Sequence, residues 1–352
     1  MKNKSVCRCS IVPIHILERL ERHGNPSVSK AARASLIATH VMRERRQLIS
    51  QGARLGRPTG ELRRTIYDSN ESPDLPGRLV RSEGAAPSAD VAVNEAYDFS
   101  GATYDFYKKV LKRTSVDDRG MRLDSTVHYT DEPGEPLDNA MWDGEQMLYG
   151  DGDKVIFDRF TKSLDVIAHE LTHGVTQFEA GLEYHKQSGA LNESMSDVFG
   201  ITAKQWSLKQ TIAAADWLIG KELLLLPNSA LRSMKAPGTA YDDPSPNGLG
   251  KDPQPGHMKD FVHLPDTRRG DNGGVHVNSG ITNRAYYLAC VNLGSPHSWD
   301  KAIHIWYDAL CNRLGRTSDF RAAKKATVAA AEALYGATES KAVAAAWSEV
   351  GL

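Results

Sequence analysis

Residues 169 to 173 have the sequence His-Glu-Leu-Thr-His, which places two imidazoles one helical turn apart. Side chains at positions i and i+4 share one face of a helix, so His169 and His173 can bind the same Zn²⁺ ion. Glu170 follows His169 directly and is placed to remove a proton from a water molecule on that ion. The pentapeptide therefore predicts a catalytic zinc site.

A second motif, Asn192-Glu-Ser-Met-Ser-Asp197, follows the first in the chain. Glu193 can supply a third zinc ligand, which leaves the fourth position open, as a catalytic site requires. Asn192 and Asp197 can hold the two imidazoles through their other ring nitrogens. The alternative to a metal site is that Glu193 and Asp197 are two solvated carboxylates one turn apart on a helix face.

A third motif, Asp271-Asn-Gly-Gly-Val-His276, contains a glycine pair that permits a tight turn. Such a turn can direct His276 into the same cleft, where Asp271 would keep its imidazole protonated. A cationic histidine there would stabilise an oxyanion. A histidine taken alone is more often structural, and the residues of this motif do not decide between the two roles.

The zinc motif needs a helix that presents the two histidines to a cleft. Ser163 is a suitable N-cap for such a helix. One stripe of the helix is apolar, and His169 and His173 lie on nearly the opposite side. A helix with this pattern fits best between two lobes. The stripe consists of Leu164, Ile167, Ala168, Leu171, Val175 and Phe178.

The remaining pattern predicts an α+β chain. Residues 14 to 50 are expected to be helical, with Pro26 starting a second helix. Short strands are predicted at 78–81, 126–129 and 154–157, with one helix over 104–111. The irregular stretch from Pro237 to Gly274 is of the kind that often contributes to sites. Further helices are predicted at 192–206, 211–226, 280–293, 299–313, 320–335 and 339–350.

Composition limits the possible partners. The 352 residues include 43 basic and 44 acidic side chains, a formal charge of -1, which does not favour nucleic acid or an anionic membrane. Residues 1–57 contain 12 basic and 3 acidic side chains, so they carry +9 and the rest of the chain -10. The basic leader could contact nucleic acid or membrane, but it can equally lie on the acidic part of its own chain.

The termini and cysteines point to neither a membrane span nor a disulfide-rich fold. No apolar run approaches the roughly 20 residues that cross a bilayer, and no secretory signal is recognisable. Four cysteines, unevenly placed, are too few for a disulfide scaffold. The cysteines are Cys7, Cys9, Cys290 and Cys311.

Residues 51–60 have lost the helical periodicity and are expected to form an exposed linker.

These motifs resemble, in order and spacing, the thermolysin family of neutral zinc metalloproteases. The resemblance covers about residues 62–352 and includes Leu231-Arg-Ser-Met234 and Lys251-Asp-Pro-Gln-Pro255. The leader, with Pro13-Ile-His-Ile-Leu17, is similar to the short propeptide of the protealysin-like subgroup. The resemblance implies an α+β fold in which a β-rich lobe and a helical lobe flank the zinc helix.

The resemblance also implies roles for individual residues. Zinc ligands would be His169, His173 and Glu193, with Glu170 as general base. His276 and Tyr184 would bind the oxyanion, with Asp271 orienting His276. Asn139, Ala140 and Trp142 would pair with the substrate backbone, and Arg232 would bind a substrate carbonyl. The primed-side pocket would be lined by Phe157, Val166, Ile219, Leu223 and Leu231.

Those five pocket residues are apolar, which predicts a large hydrophobic residue just after the cleaved bond. Two departures from the family pattern stand out. Met141 replaces a usual aromatic, which leaves the unprimed-side preference open. At the family's paired calcium site, the two acidic residues that remain are accompanied by residues that do not bind calcium. The retained pair is Asp165 and Asp216, and the replacements are Lys204, Leu218 and Lys221.

The sequence thus predicts a zinc endopeptidase made as a zymogen. Residues 1–57 would be a propeptide and linker, 58–184 the β-rich lobe with the zinc helix, and 185–352 the helical lobe. The propeptide would inhibit its own enzyme and be removed by a cut between about Arg46 and Arg64. Cys7 or Cys9 could add a thiolate to the zinc ion, although cysteines near a terminus are more often incidental.

Three further alternatives accompany this prediction. The substrates would be proteins or peptides, but an aminopeptidase is conceivable if an acidic anchor for the substrate amine exists, and no such segment is evident. A catalytically silent binding module would keep the fold without the reaction. Secretion by a route that needs no recognisable signal peptide is expected. The alternative is cytoplasmic accumulation followed by non-classical release.

Overall fold

The structure, a computed structural model, describes the backbone of residues 10–49 and 60–352 and the side chains of residues 10–39 and 60–352. The leader forms two helices, α1 (Ile14–His23) and α2 (Pro26–Ile49), separated by a turn at Gly24 and Asn25. Pro26 occupies the first position of α2, where its missing N–H is not needed. Cys7, Cys9 and most of the expected cleavage segment lie outside the described residues.

Five strands form a mixed sheet in the first half of the chain. They are β1 (Arg64–Ser72), β2 (Arg78–Ser82), β3 (Leu123–Tyr129), β4 (Ala140–Trp142) and β5 (Met147–Tyr149). The order across the sheet is β2-β1-β3-β5-β4, so β4 is an edge strand. Strands β1, β3 and β5 are parallel, whereas β2 and β4 run antiparallel to their neighbours. An edge strand leaves backbone groups free to pair with another segment.

Helix α3 (Val91–Leu111) connects β2 and β3 and packs against the sheet. Asp90 caps it by accepting a hydrogen bond from the Ala92 N–H. The predicted strand at 154–157 is wrong: these residues form a turn held by three backbone N–H groups that donate to the Asp153 carboxylate. Phe157 makes a single β-bridge to Leu224.

Helices α4 (Leu164–Phe178), α5 (Lys186–Leu208) and α6 (Asp271–Asn292) pack side by side in the middle of the molecule. Residues 164–177 of α4 are all buried, because the sheet side and the helical side both cover it. Ser163 stands at the N-cap position of α4 but does not cap it. Its hydroxyl donates instead to the carboxylates of Asp165 and Glu222.

The predicted helix at 211–226 is also wrong. The segment forms turns and the short strand β6 (Leu218–Ile219), which pairs with β7 (Arg232–Ser233). Trp217 and Gly220 both have positive φ, which an α-helix cannot include. A side chain at Gly220 would meet Leu231 at 2.7 Å, so this position needs glycine.

The rest of the second half is mainly helical, apart from a long irregular segment in which β8 (Asp242–Asp243) and β9 (Gly250–Lys251) pair. Helices α7 (Ala302–Asp308), α8 (Phe320–Tyr335) and α9 (Ala337–Glu349) complete the chain. A single large apolar core runs through both halves. None of the helices within residues 10–49 and 60–352 combines the length and apolarity that crossing a membrane requires.

Candidate active site

Three side chains from α4 and α5 converge in the buried centre of the molecule. The Nε2 atoms of His169 and His173 lie 2.9 Å apart, and each is 3.5 Å from an oxygen of Glu193. Ligands at about 2.0–2.1 Å from a tetrahedral zinc ion are separated by roughly 3.3 Å. The triangle therefore has the size that one such ion needs.

The hydrogen bonds around the two imidazoles support a cation at this position. The Nδ1 atoms of His169 and His173 lie 2.8 Å from Asp197 and 2.9 Å from the Asn192 side-chain oxygen. Both partners accept, so each Nδ1 donates and each Nε2 is left with a lone pair. Two facing lone pairs repel unless a cation lies between them. Likewise, the buried Oε2 of Glu193 accepts no hydrogen bond from any of the described residues.

Asp197 connects His169 to Arg232 and Asn283. Its carboxylate accepts from His169, from two nitrogens of Arg232 at 2.8 and 2.9 Å, and from Asn283 at 2.8 Å. Burial alone would favour the neutral acid, but the guanidinium of Arg232 and the ring of His169 hold the pKa of Asp197 well below its usual value. One carboxylate thus positions both the His169 imidazole and a buried arginine.

Glu170 lies beside the triangle. Its carboxylate oxygen, like the His169 and His173 nitrogens, belongs to a group of candidate ligand atoms that all lie within 4.8 Å of one another. Its Oε2 accepts a hydrogen bond of 2.8 Å from the backbone N–H of Trp142, on the edge strand β4. Glu170 therefore lies next to the triangle, with one carboxylate oxygen held by the edge strand.

His276 faces the triangle from α6. Asp271, Asn272, Gly273 and Gly274 have positive φ, so the regular helix begins only after this turn. The turn places the Asp271 carboxylate 2.6 Å from His276 Nδ1 and 2.7 Å from its backbone nitrogen. Burial opposes a charge on the ring, but the carboxylates of Asp271 and Glu193 outweigh it and raise the pKa of His276 to about 9.

Tyr184 completes this side of the cleft. Its hydroxyl donates to Glu193 and lies 3.2 Å from His276 Nε2. The imidazole of His276 and the phenol of Tyr184 thus face the same small volume beside His169, His173 and Glu193. Both are donors that can stabilise negative charge on a carbonyl oxygen.

The leader occupies the cleft as an extended segment before α1. The Ile11 N–H donates to the Ala140 carbonyl on β4 at 3.2 Å, and the Val12 N–H donates to the Asn139 side chain at 3.1 Å. Arg232 donates to the Ile11 carbonyl at 3.0 Å. His276 Nε2 lies 3.0 Å from the Ser10 carbonyl oxygen.

The two leader helices extend this contact across both lobes. His15 Nε2 lies 2.9 Å from the Tyr241 hydroxyl, and Arg19 donates to the carbonyls of Pro244, Ser245 and Gly248. On the other side, the Asp138 N–H donates to Ser35, and the Asn139 amide donates to Thr39. Ala38 packs in one small apolar cluster with Met141. The leader therefore covers the whole cleft.

The five predicted pocket residues are all fully buried and share one apolar core with Ile11. Ile219 lies opposite Arg232 in the β6–β7 pair, and the Leu231 N–H donates to the Ile219 carbonyl. The Asp158 N–H, next to Phe157, donates to the Leu223 carbonyl. Val166 lies on α4, about one turn before His169.

At the start of α4, the acidic residues of the expected paired calcium site pair with lysines, an arrangement that we call an ion swap. Lys204 lies 3.2 Å from the buried Asp165 and 2.7 Å from Glu222, and Lys221 lies 3.1 Å from Asp216. Burial would favour a neutral lysine, but the two carboxylates outweigh it and raise the pKa of Lys204 above its usual value. Glu222 is a partner that the sequence did not reveal. Two ammonium groups thus pair with these three carboxylates.

We therefore expect calcium to contribute little to the stability of this protein. The melting temperature should be the same in millimolar calcium and in a calcium-selective chelator, because Lys204 already pairs with Asp165. Thermal unfolding followed by circular dichroism at both conditions measures the difference. A drop of several degrees in the chelator would contradict the ion swap.

Several residues around the site were not identified from the sequence. Asn283 binds Asp197, Ser196 lies 2.9 Å from His173 Nδ1, and Gln254 donates to the His276 carbonyl. Asn283 follows His276 by seven residues, two helical turns, so its position on the same face could have been found from spacing. Gln254 lies in an irregular segment, which has no helical or strand periodicity from which its position could be predicted.

Comparisons with known proteins agree with this geometry. Residues 47–177 match the thermolysin metallopeptidase catalytic domain, and residues 180–352 match the thermolysin metallopeptidase alpha-helical domain. An extracellular metalloprotease of Pectobacterium carotovorum is 46% identical, over 100% of this chain and 98% of its own length. Protease PrtS of a Photorhabdus species is 50% identical, over 83% of this chain and 76% of its own.

A solved structure is similar over nearly the whole chain. It is described as the precursor of protealysin, a metalloproteinase from Serratia proteamaculans. It matches with a TM-score of 0.86 and 47% identity, and the match covers 97% of this chain and 99% of the other. The two-lobe α+β fold and the metalloendopeptidase class predicted from the sequence are confirmed. This chain belongs to the thermolysin family of metallopeptidases, and within it to the protealysin-like group.

Proposed function

We propose that the protein is a zinc-dependent endopeptidase made as a zymogen. The observation that supports it best is the buried triangle of His169, His173 and Glu193, whose facing lone pairs require a cation, with Glu170 beside it. Bound zinc would supply a Lewis acid that polarises a carbonyl and acidifies water. The reaction is hydrolysis of a peptide bond.

Side chains of the protein transfer the proton and stabilise the developing negative charge. Glu170 accepts a proton from the attacking water and passes it to the leaving amine, and the Trp142 N–H orients its carboxylate for both steps. His276, kept cationic by Asp271, donates to the carbonyl oxygen as negative charge develops on it. Tyr184 donates from the adjacent position.

The substrate backbone would bind along the edge strand β4. Ala140 and Asn139 would accept its N–H groups and Arg232 would hold a carbonyl, as they do with the leader. The buried apolar residues around Ile219 and Leu231 favour a large hydrophobic side chain just after the cleaved bond. The unprimed side is left without a prediction.

Digestion of casein tests the proposal. Activity should disappear in a zinc chelator and return when zinc is added back. Mass spectrometry of the fragments distinguishes the rival activities: cuts at internal bonds support an endopeptidase, whereas stepwise loss of N-terminal residues would indicate an aminopeptidase. A folded, zinc-loaded and trimmed protein that cuts nothing would support a silent binding module.

Replacing His276 with alanine should lower kcat more than it raises KM. The positive charge matters most when the carbonyl oxygen becomes negative, so its loss affects the transition state more than the bound substrate. Removal of one oxyanion donor costs about 10²- to 10³-fold in kcat. Steady-state kinetics on a short peptide measures both constants, and a change confined to KM would assign His276 to ground-state binding.

The zymogen part of the proposal rests on the leader. Ser10 to Val12 fill the backbone positions that a substrate would use, and residues 1–57 carry +9 against -10 for the rest of the chain. Docking would therefore block substrate, assisted by long-range attraction. We assign residues 1–57 to the propeptide and linker, 58–184 to the lobe with the zinc helix, and 185–352 to the helical lobe.

Wild-type and Glu170→Gln proteins expressed side by side test inhibition and self-processing. Full-length protein should be inactive on casein, and trimmed protein should be active. The cut should fall between about Arg46 and Arg64, and only in the protein with an intact Glu170. Equal activity before and after trimming would refute inhibition, and equally fast trimming of purified Glu170→Gln would refute self-processing.

We further propose that the enzyme is secreted, which the extracellular metalloprotease of Pectobacterium carotovorum supports by its name. Comparing the amount of the protein in culture medium and in washed cells tests this. Protein that stays with intact cells throughout growth would favour cytoplasmic accumulation and later release.

A further inference from the structure

The leader lies in the cleft with the polarity and spacing of a substrate. Four consecutive backbone groups of the leader contact four different residues of the site. The Ser10 carbonyl lies beside His276, and the Ile11 N–H donates to the Ala140 carbonyl on β4. The Ile11 carbonyl accepts from Arg232, and the Val12 N–H donates to the Asn139 side chain. A chain running in the opposite direction would present these donors and acceptors in the reverse order. The contacts therefore fix the register to a single residue.

In this register the Ser10 carbonyl is the one beside the oxyanion donors. Its oxygen is 3.0 Å from Nε2 of His276, which is 3.6 Å from Glu193 of the metal triangle. The carbonyl of the next residue, Ile11, is bound by Arg232 instead. The peptide bond at the reacting position is thus the one between Ser10 and Ile11.

The side chain that follows this bond also fits the site. Ile11 is fully buried in the same apolar core as Ile219 and Leu231. A large hydrophobic residue after the cleaved bond is what the pocket favours. Val12 is equally buried in that core, so the backbone contacts select the bond and the burial of Ile11 is compatible with it.

We propose that the zymogen cleaves its own Ser10–Ile11 bond while the leader is docked; the proposal rests on the proposed function. Water attacks the Ser10 carbonyl carbon and gives a proton to Glu170. The bond from that carbon to the Ile11 nitrogen breaks, and the nitrogen receives the proton held by Glu170. The second water proton ends on the same amine, so the products are the Ser10 carboxylate and the Ile11 ammonium group.

This cut removes residues 1–10 without releasing the inhibitor. The part of the leader that follows Ile11 keeps its contacts through His15 to Tyr241, Arg19 to the loop around Gly248, and Ser35 to Asp138. The product therefore stays in the cleft. The cut is distinct from the trimming in the linker, which separates the whole leader from the enzyme.

The cleavage is intramolecular. While its leader is docked, a molecule's cleft is closed to a second molecule, so only its own leader can reach the reacting groups. The rate should therefore not change when the full-length protein is diluted, whereas cleavage between molecules would slow in proportion.

The test uses full-length, zinc-loaded protein, separated from any trimmed enzyme and incubated at several concentrations. Intact mass and N-terminal sequencing should show a chain that begins at Ile11, formed at a rate independent of concentration, and Glu170→Gln should keep residues 1–10. Ile11→Leu is the matched control and should still be cut. Ile11→Asp should be cut at least ~10-fold more slowly, because the pocket is apolar.

A second measurement does not depend on turnover. In full-length Glu170→Gln, the amide protons of Ile11 and Val12 should exchange slowly with solvent, because both are held in the cleft. Exchange at the rate of an unstructured peptide would overturn the register. So would an equal loss of residues 1–10 in Glu170→Gln.

The remaining outcomes separate this proposal from the function on which it rests. If trimmed enzyme digests casein but the full-length form keeps its Ser10–Ile11 bond, self-cleavage at this bond is wrong and the endopeptidase function stands. A protein that cleaves neither casein nor this bond would overturn both proposals.

Discussion

Replacing Glu170 with glutamine is expected to lower kcat/KM on a peptide substrate by about 10²- to 10⁴-fold, the usual cost of removing a general base. Glutamine keeps the shape of the side chain and can still accept from the Trp142 N–H, so the cleft should keep its geometry. It cannot take a proton from water. Because the three proposed ligands His169, His173 and Glu193 are untouched, the zinc content should not change.

The measurement pairs steady-state kinetics with zinc analysis of the same sample. The leader must first be removed by an added protease, since this variant should not trim itself. Glu332→Gln is a suitable control, because Glu332 is exposed on α8, which contributes none of the residues described at the site. Near-normal turnover in a folded, zinc-loaded Glu170→Gln protein would refute the assigned base.

The metal site could be predicted from the sequence because its geometry is mostly local. The i and i+4 spacing of His169 and His173 fixes their separation once the segment is helical. Glu193, Asn192 and Asp197 follow within one further helix, so packing α5 against α4 is enough to bring them together. Only the direction in which these two helices pack had to come from the fold.

Other features depend on contacts between distant segments and could not be predicted in this way. The register of Ile11 against β4 depends on how a short segment of the leader enters a cleft formed by residues far along the chain, and no period in the sequence encodes it. The false helix at 211–226 shows the opposite problem. Its composition suits a helix, but in the structure Asp216 and Lys221 form an ion pair and Gly220 lies close to Leu231.

Replacing Asp197 with alanine is expected to destabilise the protein and weaken zinc binding together. Asp197 and Arg232 are an ion pair that is almost completely buried, and removal of one partner leaves the other charge without compensation, at a cost of about 3–5 kcal/mol in the free energy of unfolding. His169 also loses the acceptor that orients its ring. Loss of such an outer partner lowers metal affinity by about 10- to 100-fold.

A double variant separates the two effects. Asp197→Ala combined with Arg232→Leu removes the isolated charge, so much of the lost stability should return, while zinc affinity stays low because His169 still lacks its acceptor. Urea unfolding of the zinc-free protein measures the first effect, and competition with a chromogenic chelator measures the second. The exposed pair of Asp216 and Lys221 supplies the control, since Asp216→Ala should cost no more than about 1 kcal/mol. If the double variant regained zinc affinity as well as stability, Asp197 would act on the site through Arg232 rather than through His169.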